Sequence, residues 1–216
     1  LVVVISFLLA YLSMRNFQEA PAYAEADYGL FLIRKTLNLT PMLLADFHQK
    51  MIKENLIISF ERLFKGREST LVIFAPRKII QSYILVLDLV ELEDYTDVDS
   101  QKVLVFQMGV KQKGLKGNLG DFFAEFPILN ADESVFWQLI LHAKREGEFE
   151  ILPRVVFSAK DKSFQNLSGG FLHKVPQPFS NDQLFKFYKT RTYAHEAHNL
   201  NLKADEVLNL ILLKSS

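Results

Sequence analysis

In a chain of 216 residues, 25 basic side chains balance 25 acidic ones, 49% of the residues are hydrophobic, and there is no cysteine. This composition excludes intrinsic disorder, because so apolar a chain can bury enough surface to offset its ordering entropy. It also excludes disulfide frameworks, thiol catalysis and thiolate zinc sites, and the even charge argues against a whole-domain nucleic-acid binder.

The first fourteen residues, Leu1 to Met14 (LVVVISFLLAYLSM), carry no charge. At about 1.5 Å per residue they cover roughly 21 Å of a hydrocarbon core about 30 Å thick. A span therefore needs residues upstream, and the initial Leu points to such a truncation. The expectation is a transmembrane segment over 1–14. The same residues fit a signal-peptide core, with Ala20, Ala22 and Ala24 at cleavage-like spacing, or a buried helix. Arg15, directly after the apolar run, is a positive-inside hint for a cytoplasmic body.

A connector over 15–26 leads into Asp27 to Lys35, which reads as a strand. Thr40 is placed to cap a helix that opens on Pro41 and has Leu43, Leu44, Phe47 and Met51 on one face. Leu56 to Phe64 and Thr70 to Phe74 read as a hairpin across Lys65–Glu68. Pro76 opens a second helix with Ile79, Ile80, Tyr83, Ile84 and Leu87 as its buried stripe, and Val90 to Tyr95 closes the unit as a strand. The order is strand, helix, strand, strand, helix, strand.

That order predicts an α+β, split-βαβ or ferredoxin-like unit over 27–99, and residues 101–203 repeat it. Lys102 to Lys111 is a strand, and Asn118 caps a helix with Leu119, Phe122, Phe123 and Phe126 inside. Ser134 to Ala143 and Phe149 to Ala159 are strands joined by Lys144–Glu148. Lys160 to Phe179, with two glycines and two prolines, reads as loop. Ser180 and Gln183 have capping-box spacing ahead of Leu184, Phe187 and Tyr188. His198 to Leu202 supplies the last strand, and 204–216 a C-terminal helix. The expected architecture is thus a transmembrane helix followed by two tandem ferredoxin-like units.

The chemistry-bearing patterns resolve into bland readings. Gly109, Gly114 and Lys116 imitate a phosphate-binding loop, but Leu115 separates the second Gly from Lys116 and no hydroxyl follows to hold magnesium. His195 and His198 have a metal-ligand spacing, yet only Glu196 lies between them, so a solvated helix end is the expectation. The acidic run Glu91, Glu93, Asp94, Asp97 and Asp99 reads as a solvent-facing edge strand entering a turn. Asn38 and Asn166 begin Asn-x-Ser/Thr triplets, which count only in a glycosylating compartment. The lysines 111, 113 and 116, and Lys144 with Arg145, fall in loops as solubilising charge, and Trp137 reads as core. No catalytic, cofactor-binding or metal residue is assigned, and no cofactor is expected.

The segments Leu56 to Ile79, Val90 to Thr96 (VELEDYT), Phe136 to Lys144 (FWQLILHAK) and Leu202 to Leu213 (LKADEVLNLILL) occur in an order that resembles another protein family. This is the N-terminal, non-ATPase region of type IV secretion and conjugative-transfer motor ATPases, of the TraC and coupling-protein kind. The resemblance covers most of residues 27–213 and rests on apolar and aromatic patterns. It implies a membrane segment, two ferredoxin-like units and a helix leading into a motor, with Leu202, Asp205 and Glu206 matching the opening of that last stretch. No Walker A sequence is present, so no residue inherits ATP hydrolysis.

The expectation is a membrane-anchored, non-catalytic docking and assembly domain of a type IV secretion or conjugation apparatus. Its implied partners are the inner membrane, protein subunits of that complex and a second copy of itself, with no nucleic-acid site. A bitopic scaffold of a type IV pilus or type II secretion platform is the alternative, and an enzyme with an unrecognised site is a third class.

Overall fold

A computed structural model describes residues 26–65, 68–95, 103–110, 133–144, 147–158, 172–174, 179–193 and 200–212. The first half contains β1 (Tyr28–Ile33), a 3-10 turn (Thr36–Asn38), α1 (Pro41–Glu54), β2 (Ile57–Lys65) and β3 (Glu68–Pro76). It continues through α2 (Arg77–Ile80), a second 3-10 turn (Gln81–Tyr83), α3 (Ile84–Leu87) and β4 (Leu89–Leu92). The second half has β5 (Val103–Val110), β6 (Ser134–Ala143), β7 (Glu148–Ser158), β8 (Leu172–Lys174), α4 (Asn181–Thr190), β9 (Leu200–Lys203) and α5 (Ala204–Leu212).

Local chemistry sets the helix ends. Thr40 Oγ1 accepts the Leu43 N–H at 3.2 Å and Pro41 takes the first helical position, so α1 starts where the spacing predicts. Asn55 then closes it at φ 50°, a left-handed conformation that an Asn side chain tolerates. Ser180 and Gln183 form the expected reciprocal capping box on α4. One helix departs from expectation. Residues 77–87 are two short α-helical pieces around a 3-10 turn, whose three residues per turn shift the phase of the buried stripe. Ile79, Ile80, Tyr83 and Leu87 face the core, whereas Ile84 is 41% exposed.

Among the described residues nine strands join one sheet in the order β4-β1-β3-β2-β6-β7-β5-β8, with β9 also on β7, and each of these pairings is antiparallel. The chain is therefore mixed α+β, as expected. The two halves are not separate modules, because β2 pairs with β6 along its whole length, from Ile57↔His142 to Lys65↔Ser134. Both are otherwise edge strands with open backbone groups, and pairing them satisfies both edges.

The second half departs further from a repeat of the first. β6 occupies one edge of β7, so β5 (opposite Arg154–Ser158) and β9 (opposite Glu148–Ile151) lie in line along the other. A closing strand of a repeated unit would instead lie beside β5, and that place is taken by β8, in a stretch expected to be loop. The open edge of β5 is the physical reason a three-residue segment is held there.

Each face of the sheet carries its own helices. Phe47 and Met51 of α1, Ile80 of α2, Leu87 of α3 and Leu210 of α5 pack with Phe60, Ile73, Trp137 and Leu139 on one face. On the opposite face, Leu184, Phe185 and Tyr188 of α4 cover Val103, Val105, Phe136 and Val156. Among the described residues no helix is long and apolar enough to cross a membrane. Leu1–Met14, the rest of the connector as far as residue 25, and the helix expected from Asn118 lie outside the described residues.

Candidate functional site

Strand alternation and register put one polar residue from each of four neighbouring strands in a single row. Glu61 of β2 pairs with Gln138 of β6, Gln138 with Arg154 of β7, and Arg154 with Gln107 of β5. The row lies on the face that α4 covers. Glu61, Gln138 and Arg154 are 0% exposed and Gln107 is 2% exposed. Each interrupts an apolar strand, in SFERLF, VFQMG, VFWQLIL and LPRVVF. A buried charge needs partners, and here the fold supplies them.

The centre of the cluster is the Glu61 carboxylate. Its Oε1 accepts from Ser59 Oγ at 3.0 Å, Gln138 Nε2 at 3.1 Å and Arg191 Nε at 2.9 Å, and its Oε2 accepts from the Tyr95 hydroxyl. Arg191 also forks onto Asp94, with Nη1 to Oδ2 at 2.7 Å and Nη2 to Oδ1 at 3.2 Å. Its guanidinium carbon lies 4.3 Å from the Phe74 ring centroid. To hold this position Arg191 closes α4 at φ 51°, an uncommon conformation for a residue with a Cβ. Arg154 serves the end of the same helix: Nη1 donates to Phe187 O at 3.3 Å and Nη2 to Thr192 O at 2.6 Å. Phe187 O also accepts the Arg191 and Thr192 N–H groups that close the helix, and Thr192 lies just beyond it, so Arg154 ties the helix end to β7.

The electrostatics follow from this geometry. Burial pushes the Tyr95 and Tyr188 hydroxyls well above the ordinary phenol range, and the Glu61 carboxylate adds to the effect on both. Burial opposes the charge on Arg191, but Glu61 and Asp94 more than reverse that, so its guanidinium is held more firmly protonated than in water. Two carboxylates and two guanidiniums are thus locked across the junction of the halves. Such a cluster aligns β2, β6 and α4.

A separate tyrosine reports on the sheet near the start of the chain. Burial pushes Tyr28, which stacks on Phe74 at 4.9 Å, up to about 12 from 10.0. The folded state keeps that proton while the unfolded chain loses it, so stability present below pH 10 declines as pH rises toward 12. Thermal unfolding is expected to show a lower Tm at pH 11 than at pH 9, and Tyr28→Phe a smaller drop. An equal drop in the variant counts against this origin.

The histidines and the other chemistry-bearing residues of the sequence separate in space. His48 is buried with Nε2 2.9 Å from Glu148 O, and its ring meets Phe149 edge-on. His142 lies beside Glu150 and Tyr193, and Lys144 bonds Glu150 at 2.7 Å. His173 falls in β8, and Gly109 in β5. The acidic run is not simply solvated, because Glu91 pairs with Arg77 and Asp94 with Arg191. Asn38 donates to Val86 O at 2.6 Å, and Trp137 is core, as expected. His195, Glu196, His198, Gly114, Lys116, Asp97, Asp99, Lys111, Lys113, Arg145 and Asn166 lie outside the described residues.

Sequence reasoning passed over Glu61, Gln138, Arg154 and Arg191. The missed signal was the polar residue inside each apolar strand; Arg191, in a turn, gave none. No protein-family model matches the chain, and a search of curated proteins finds no match.

Proposed function

We propose that the chain is a membrane-anchored, non-catalytic docking and assembly domain, of the kind that precedes the motor in type IV secretion and conjugation ATPases. The observation that carries the non-catalytic reading is how the buried charge is used. Glu61 is fully buried and accepts from four donors, and both buried guanidiniums are engaged by carboxylates, Gln138 and backbone carbonyls. A catalytic carboxylate needs a free lone pair facing substrate. The membrane anchor rests on the uncharged Leu1–Met14, and the secretion assignment on the resemblance of the strand and helix patterns.

In this reading Tyr28–Leu92 is a ferredoxin-like unit, supported by the strand order β4-β1-β3-β2 and by helices on one face. The second half is a modified unit that retains the order β6-β7-β5. The chain has no cysteine, so a single cysteine at exposed Glu93 gives a unique label. In intact bacterial spheroplasts, Glu93→Cys is expected to resist a membrane-impermeant maleimide and to react once the membrane is permeabilised. Labelling before permeabilisation overturns the motor-linked reading in favour of the pilus or type II platform scaffold. Recovery in the soluble fraction overturns the anchor.

A further inference from the structure

The strands toward the two edges of the sheet differ in chemistry. β4 is four residues long, carries exposed Glu91 and runs straight into exposed Glu93 and Asp94. Two copies of β4 side by side would bring these carboxylates together, and like charges across a strand pair are unfavourable. β5, toward the other edge, is eight residues long and reads VLVFQMGV, with no charge and no proline. Val103 and Val105 are buried beneath α4, while Leu104 and Phe106 pack against the core on the opposite face. An uncharged run of β-branched and aromatic residues pairs readily with a copy of itself wherever its edge is open.

The edge of β5 is closed, and by two different devices. β7 takes one side from Val103 to Gln107, and β8 pairs with Met108–Val110. Near the start of the strand the partner is a side chain. Val105 N–H donates to Asn181 Oδ1 at 2.9 Å, and Asn181 Nδ2 donates to Val103 O at 2.8 Å. One carboxamide thus takes a backbone donor and a backbone acceptor two residues apart, as a neighbouring strand would. Asn181 is the first residue of α4, whose start is already capped by Ser180 and Gln183. The packing of Leu184, Phe185 and Tyr188 on Val103 and Val105 holds that helix end against β5.

We propose that the Asn181 carboxamide guards the β5 edge: it occupies the outward groups of Val103 and Val105 and keeps a second copy of this chain from adding its own β5 there. The excluded partner is another β5 because the segment is apolar on both faces and carries no charge to repel its copy. β4 needs no such guard, since its carboxylates already discourage pairing. The device consists of two bonds from one side chain, so a substitution at Asn181 opens the edge while the cap and the apolar contacts of α4 stay in place.

The test uses the full chain in dodecylmaltoside micelles and reads two quantities across a wide range of protein concentration: amide exchange at Val105, and protein mass per particle by light scattering. In the unaltered protein Val105 is expected to exchange slowly at every concentration. Asn181→Leu, of similar size but without the bonds, is expected to exchange there about tenfold faster or more when dilute. When concentrated, it should regain protection as the protein mass per particle doubles relative to the unaltered chain. Ser180→Ala, which removes the cap and keeps Asn181, is expected to behave as the unaltered protein in both respects. Fast exchange of Asn181→Leu at all concentrations with unchanged mass overturns the inference, because the opened edge then attracts no second copy. Slow exchange when dilute overturns it too, since Asn181 is then not what protects the amide. Equal association of Ser180→Ala overturns it in favour of a general loosening of α4. Should Asn181→Leu not fold, Asn181→Ala is read by the same outcomes.

Discussion

Glu61→Ala is expected to destabilise the protein by about 3–5 kcal/mol, because it strips a fully buried guanidinium of its inner carboxylate. Of the two carboxylates that face it, Arg191 would keep Asp94, whose side chain is 49% exposed and therefore screened by water. Gln138 Nε2 would retain Tyr188 O at 3.2 Å, while the Tyr95 hydroxyl and Ser59 Oγ would lose the acceptor recorded for each. At roughly 2–4 °C per kcal/mol for a chain of this size, thermal unfolding should shift down by about 10 °C. Asp94→Asn should cost less than about 1 kcal/mol, and that cost should shrink with added salt. Combining Glu61→Ala with Arg191→Met removes both charges, so the double variant should be more stable than the sum of the single changes requires. Urea unfolding of the four proteins measures this. A Glu61→Ala cost below about 1 kcal/mol would show that water reaches the cluster and that it does not hold the halves in register.

The elements of this fold were legible where local chemistry decides them. Thr40-Pro41 and the Ser180/Gln183 pair fix helix starts through single hydrogen bonds, and Ser134 to Ala143 announces a strand by its apolar content. What could not be read is which edges meet. β2 and β6 are far apart in the chain, and nothing in either apolar pattern says that Glu61 must lie opposite Gln138. Register comes from the whole set of buried partners at once. The same limit explains β8, whose three residues carry no periodicity, and β9, which is placed by the length of β7 and not by its own sequence. The buried cluster was half legible. A polar residue inside an apolar strand marks a buried polar group, but its partner is found only when the strands are aligned. Function was less legible still, because a docking surface leaves no spacing signature of the kind a catalytic motif has.

Trp137→Ala is expected to be the most damaging single truncation on the other face of the sheet. The indole is 1% exposed and contributes to the core between the sheet and α5, so its loss leaves a cavity whose cost is about 3–5 kcal/mol. It has a second role. Its Nε1 donates to Leu210 O at 3.3 Å, in the last described turn of α5. Loss of the side chain should therefore release α5 before the sheet opens. Hydrogen exchange should show protection falling first at Val207, Leu210 and Ile211, while amides of β2 and β6 remain protected nearly to the global limit. Trp137→Phe separates the two effects: it preserves most of the packing and removes the hydrogen bond, at a cost of about 1 kcal/mol. If Trp137→Phe were as harmful as Trp137→Ala, the lost hydrogen bond, and not the packing, would be the whole explanation. If instead α5 amides exchanged freely in the unaltered protein, the helix would not be docked, and the indole would have no carbonyl to hold.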